Sequence, residues 1–153
     1  MLGALEAQRL LADDYDVAAD VWSATSYKAL REDALSVERW NRLHPEAPAR
    51  ASYVQEQLGA TTGPVVAVTD YMKSVPDQIG RFVRAPFIPL GTDGYGFSDT
   101  RVALRRHFEV DAPQVVLGVL HGLAEQGAIG RDLVVDAIKR YNIETDGVDP
   151  RNA

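Results

Sequence analysis

The sequence predicts a layered α/β domain with a largely parallel sheet. "GPVVAVTD" (63–70) is a continuous apolar run between turn signals, the pattern of a strand covered on both faces. "APFIPLGTD" (85–93) reads as another strand, with Pro86 and Pro89 placing it at an edge or at a strand's beginning. Amphipathic helical stretches precede, separate and follow these runs, and strands alternating with helices pair in parallel through crossovers.

Taken in order, Leu2, Leu5, Ala7, Leu10 and Leu11 fall near helical spacing and open the chain with a helix to about Asp14. "DVAADVWSAT" (16–25) follows, where Val17, Ala19 and Val21 alternate as in a strand. Ser26 can cap a helix through "YKALREDALSVERWNRL", which stops at His44-Pro45 because proline disfavours helix in the residue before it. "PEAPAR" is a loop, and "ASYVQEQLG" a short helix closed by Gly59. A helix lies around "SVPDQIGRFV".

Ser98 or Asp99 caps the next helix, "TRVALRRHFEV". Asp111 and Pro113 open another to Gln126, with the stripe Val115, Val116, Val119, Leu120 and Leu123 and a stop at Gly127. A last helix, "GRDLVVDAIKRYNI", buries Leu133, Val134, Ala137, Ile138 and Tyr141. The domain is expected over 1–143, with 144–153 a loose polar tail. A strand is expected before the first helix, so the sequence reads as a piece cut just after one, with the sheet's first strand missing.

The 153 residues suit one domain, which can bury about 70% of its unfolded surface without a staple. Absence of cysteine removes thiolate metal sites, thiol nucleophiles and disulfides. A net charge of −6 argues against a general nucleic-acid binder. Only residues 61–110 lean basic, with 6 Lys/Arg against 5 Asp/Glu, so a local anion site stays open there. No apolar run reaches the length of a membrane span, the opening stretch lacks the pattern of a signal peptide, and a cytoplasmic protein is expected.

"LGTDGYGFSDTR" (90–101) is the stretch most suggestive of chemistry. A glycine-dense turn between strand and helix can hold an anion on free N–H groups, and Arg101 and Arg105 stand one turn apart. Yet Gly91, Gly94 and Gly96 do not make a dinucleotide fingerprint, no Gly-Lys-Ser/Thr follows, and Asp93 and Asp99 add negative charge. A structural turn is favoured, with a stand-alone phosphate-binding module as the alternative. Asp93, Tyr95, Phe97, Ser98, Asp99, Arg101 and Arg105 are thus candidates for an anion site or a domain-interface turn.

His44, His107 and His121 lack metal-ligand spacing, and surface or interface roles are expected of them, His121 as a partner of Glu125. No G-x-S-x-G elbow is present. Asp132, Asp136 and Arg140 read as a charge-paired helix face, and Gly118 and Gly122 as sites of close helix packing. The residues alone describe an α/β domain without a self-contained active site.

Four stretches go further: "VWSATSYKALREDALSVERWNRLHPE" (21–46), "VVAVTDYMKSVPDQIGRFV" (65–83), "LGTDGYGFSDTRVALRRHFEVDA" (90–112) and "AIKRYNIETDGVDPRNA" (137–153). In order, and over nearly the whole chain, they resemble the carboxy-terminal end of the homodimeric, bacterial-type dehydrogenase component of the pyruvate dehydrogenase complex. Glu38-Arg39-Trp40-Asn41 and the run from Gly91 to Gly96 carry the resemblance most specifically. It implies a transketolase-like carboxy-terminal domain: three layers, α/β/α, around a mixed, mostly parallel sheet.

The resemblance also implies an intact enzyme that decarboxylates pyruvate with thiamine diphosphate and Mg2+. That enzyme reductively acetylates the lipoyl group of the acetyltransferase component. The cofactor's Gly-Asp-Gly…Asn motif is absent, since Thr92 precedes Asp93 and the next asparagine is Asn142. No cofactor, metal or catalytic residue is therefore assigned to this chain. Its expected partners are its own catalytic domains and a second copy, met through Tyr95 and Phe97, with no nucleic acid and no membrane. Phe97 departs from the arginine commoner in the family. Another transketolase-like enzyme is the remaining alternative.

Overall fold

A computed structural model describes residues 1–152. Helices α1 (Leu2–Tyr15), α2 (Tyr27–Leu43) and α3 (Tyr53–Leu58) precede strand β1 (Val65–Val68). Helix α4 (Ser74–Gly80) connects it to β2 (Phe87–Leu90), and α5 (Arg101–His107), α6 (Ala112–Glu125) and α7 (Arg131–Arg140) follow. A 3-10 turn, Pro150–Asn152, closes the described chain.

The strands pair in parallel, Val65 opposite Phe87 and Val68 opposite Leu90. The carbonyls of Pro86 and Leu90 accept from the amides of Val65 and Thr69 at 2.8 and 2.9 Å. Even-numbered residues of β2 therefore face β1, and Pro89 turns its ring nitrogen to the open edge, where no N–H is needed. Side chains alternate across this pair. Val66, Val68 and Leu90 join a core with Ala7 and Leu11 of α1, Val115, Val116 and Leu120 of α6, and Ala137 of α7. Phe87 meets Ala34, Val54, Ile79 and Phe82 from the α2–α3–α4 side. Helices thus cover both faces of a small parallel sheet, the mixed α/β, transketolase-C-like arrangement expected.

Glycines decide how close α6 comes. A Cβ at Gly122 would stand 2.5 Å from Pro64 Cβ and 3.1 Å from Ile88 Cδ1, and one at Gly118 3.4 Å from Val66 Cγ2. Asp111 caps α6, accepting from the Gln114 amide at 3.1 Å. Burial pushes that carboxyl's pKa up, against the lowering effect of the Gln114 bond.

The start and end of this half are clasped together. Tyr141 Oη donates to Asp14 at 2.7 Å, Tyr15 Oη donates to Asp136 at 3.1 Å, and Arg140 reaches Asp136 and Asp14 at 3.1 and 3.3 Å. Asp136 is held below its ordinary range, chiefly by the Arg140 hydrogen bond and then by that of Tyr15. Asp136 and Arg140 do form the charge-paired face read from their spacing, whereas Glu125 pairs with Arg131 rather than His121.

The Glu38-Arg39-Trp40-Asn41 run is structural. Glu38 pairs with Arg81 beyond α4. Asn41 accepts from the Arg50 amide at 2.8 Å and donates to the Arg50 carbonyl at 2.9 Å. Trp40 stacks with the His44 ring at 4.5 Å and carries the Arg50 guanidinium 3.6 Å from its centroid. This run pins the loop after α2 back onto the helix.

Two expectations are corrected. Residues 16–25 form no strand. Val17 and Ala19 do pack on the α1–α6–α7 core, but the Ala19 carbonyl is taken by the Gln8 side chain, so alternate burial occurs without a ladder. The 144–152 segment is not simply a loose tail, because Pro150 is buried against the turn at Gly94.

Replacing Gly122 by valine drives a branched side chain into Pro64 and Ile88. We expect it to destabilise the domain by about 2 kcal/mol in urea unfolding, as overpacking does. Valine at exposed Gln126 should shift the midpoint far less.

Candidate functional site

The 91–101 turn leaves the carboxyl end of β2 beside the loop that leaves the carboxyl end of β1. Backbone bonds lock the two together. Thr92 N donates to the Tyr71 carbonyl at 2.9 Å, Thr92 Oγ1 to the Asp70 carbonyl at 2.8 Å, and Lys73 N to Asp93 Oδ1 at 2.8 Å. Gly91 is where the loops cross: a Cβ there would lie 2.5 Å from Tyr71 O and 2.8 Å from Lys73 N. Gly94 has φ of 97°, open to glycine and strained for other residues, and its missing side chain makes room for the Pro150 backbone.

Beyond Gly94 the turn becomes exposed. Tyr95 is 80% exposed and Phe97 50%. Phe97 rests edge-on against His107, with ring centroids 4.6 Å apart, and His107 meets Phe108 at 4.8 Å. His107 is therefore part of an aromatic cluster, and its Nε2 is buried with no partner among the described residues.

The helix cap is corrected. Thr100, not Ser98 or Asp99, caps α5, its hydroxyl accepting from the Ala103 amide at 3.3 Å. Asp99 instead accepts from the Thr100 amide at 2.6 Å, one step outside the helix. Because α5 starts at Arg101, the adjacent hydroxyl is the one placed to reach its third amide.

The two arginines diverge in their surroundings. Arg105 pairs with Asp70 at 3.5 Å, and Arg101 is exposed. Between the turn and the start of α4 lies an open cleft of about 430 Å3, with Lys73, Asp77, Asp93 and Arg151 on its walls. Both signs of charge are present, so the cleft does not concentrate an anion-binding field.

Asp93 is engaged by the Lys73 amide, and among the described residues no three His, Asp or Glu side chains gather as metal ligands. No described helix is long and apolar enough to cross a membrane.

Of the residues singled out from the sequence, the structure joins Asp93 to the β1 loop, Phe97 to the end of α5, and Arg105 to Asp70. Tyr95, Ser98 and Arg101 stay exposed. Asp70, Tyr71, Lys73, Pro150 and Arg151 also shape the turn. They lie tens of residues away in sequence, and no local spacing marks them.

Residues 1–111 match the family described as the transketolase-like TK C-terminal domain. The chain is 47% identical over 141 residues to the pyruvate dehydrogenase E1 component of Mycolicibacterium smegmatis, covering 92% of this chain and 15% of that protein. For the same-named protein of Pseudomonas aeruginosa the identity is 49% over 146 residues, covering 95% and 17%. For that of Escherichia coli it is 46% over 149 residues, covering 97% and 17%. The chain spans about a sixth of the length of these relatives.

Thr100→Ala should lower stability by about 1 kcal/mol in denaturant unfolding, whereas Ser98→Ala should leave it unchanged, which distinguishes the two capping assignments. Asp149, bonded to Arg151, titrates at about 2 rather than 3.8. A carboxyl held low stabilises the folded chain above its ordinary value, and the contribution is lost as pH falls through about 2. In Arg151→Ala the Asp149 carboxyl midpoint, followed by carbon NMR, should move up toward 3.8.

Proposed function

Because the chain belongs to the transketolase-like TK C-terminal domain family, we propose that it serves as the non-catalytic domain of a pyruvate dehydrogenase. The similarity along 92–97% of the chain to proteins of that name is the observation that carries this reading. The longer protein would decarboxylate pyruvate with thiamine diphosphate and magnesium and pass the acetyl unit to the lipoyl group of an acetyltransferase partner. Thiamine diphosphate supplies the electron sink for decarboxylation, and residues outside this chain would hold it.

The part assigned to these 153 residues is contact. The carboxyl ends of β1 and β2 present Tyr71, Met72, Tyr95 and Phe97, each at least 50% exposed. Aromatic side chains standing clear of a turn whose base is cross-bonded suit protein–protein contact, where they bury large area. Their partner would be the catalytic domains or a second copy of the protein in a homodimer, and the setting the bacterial cytoplasm.

In the longer protein, Tyr95→Asp combined with Phe97→Asp should lower pyruvate decarboxylation at least tenfold together with loss of dimer in sedimentation. Unchanged activity and mass would overturn the contact role. Tight calorimetric binding of thiamine diphosphate with magnesium to residues 1–153 alone would overturn the division of labour.

A further inference from the structure

The chain's last described residues return to the 91–99 turn, and the route back is built in. After α7, Tyr141 N donates to Ala137 O and Ile143 N to Ile138 O at 3.0 and 2.9 Å, with Asn142 in the left-handed region at φ 50°. Arg106 of α5 donates to the Asn142 carbonyl at 2.6 Å and ties the end of α7 to α5. At its end, Asn152 N donates to Asp149 O at 2.8 Å, and the Asp149 carboxylate accepts from the Arg151 amide and guanidinium at 2.9 and 3.0 Å. The segment 149–152 is therefore a compact unit with its own hydrogen bonds.

That unit sits on a glycine of the turn that leaves no room for a side chain. Pro150 is buried, and a Cβ at Gly94 would collide with the Pro150 carbonyl oxygen and come within 3.4 Å of Arg151 Cα. Arg151 then forms a wall of the cleft beside Lys73 and Asp93. The turn itself has little to hold it. Among the described residues, no amide of 94–99 donates to a backbone carbonyl. Its shape rests on Phe97 against His107 at one end and on Gly94 beneath Pro150 at the other.

We propose that residues 149–152 are an intramolecular strap: by seating Pro150 on Gly94 they hold the 91–99 turn in the form that exposes Tyr95 and Phe97, and they close one end of the cleft. Gly94 is thus required by its own backbone, at φ 97°, and by the seat it gives the chain's end. The strap rests on contacts within this chain and stands whether or not the turn meets another domain.

Amide hydrogen exchange on residues 1–153 tests it. Deleting 147–153 should accelerate exchange at Thr92 and Lys73, the amides bonded into the turn, at least tenfold, while the α6 amides of Val116 and Leu120 keep their rates. Gly94→Ala in the intact chain should produce the same local acceleration, with the strain of alanine at φ 97° adding to the lost contact. Unchanged exchange at Thr92 and Lys73 on deletion would overturn the strap. Equal acceleration in α6 would also overturn it, since the segment would then support the whole core and not the turn.

Discussion

The close seating of α6 on two short strands is the contact on which the rest of this domain depends. The sheet has two strands of four residues each, and two strands are too few to be stable on their own. Stability has to come from cover on both faces, and α6 supplies it on one by lying close enough for Gly122 to meet Pro64 and Ile88. Once α6 is placed, its far side buries Leu11 and Ala137, and α1 and α7 are set against it. The Asp14–Tyr141 and Tyr15–Asp136 bonds then tie those helices together at the periphery. Such peripheral bonds are individually modest, so they register helices that apolar packing has already positioned.

The same layering determines where a functional surface can lie. Parallel strands release their loops at one edge, the carboxyl edge, where open α/β sheets commonly carry their binding sites. Here that edge is largely self-satisfied. The Asp70–Lys73 loop and the 91–94 turn bond to each other through backbone groups, and Arg105 is paired with Asp70. What remains outward includes the side chains of Tyr71, Met72, Tyr95 and Phe97 beside polar Ser98, Asp99 and Arg101. A rigid base with exposed rings supports a contact role more readily than a small-ligand site, and it fits a chain that spans about a sixth of its relatives.

Much of the helical framework was legible because its signals are local. Ser26 caps α2 through the Ala29 amide, Asp111 caps α6, and His44-Pro45 ends α2, as their residue types suggested. Gly118 and Gly122 were readable as close-packing sites, though not which side chains they meet. Thr100 caps α5 in place of its neighbours because cap identity depends on which residue precedes the first helical turn, a matter of one position. The 16–25 segment misled for another reason: alternating burial is the signature of a strand but only requires an extended chain lying on a core. The Glu38–Asn41 run was recognisable as a family signature, whereas its work in pinning residue 50 to α2 emerged only from the fold.

The sequence by itself determined the class of fold, the order of helices and the absence of a diphosphate motif, since periodicity, caps and residue types are properties of neighbours along the chain. It also marked the 91–101 turn as the stretch worth attention. The tertiary structure decided what that turn is. Whether Arg105 stays free or pairs with Asp70, whether Asp93 faces a ligand or the Lys73 amide, and whether Gly94 admits a phosphate or Pro150 are settled by residues 20 to 56 positions away. Such contacts form only when the layers stack and bring the carboxyl edge and the chain's end together, and no pattern confined to neighbours can encode them.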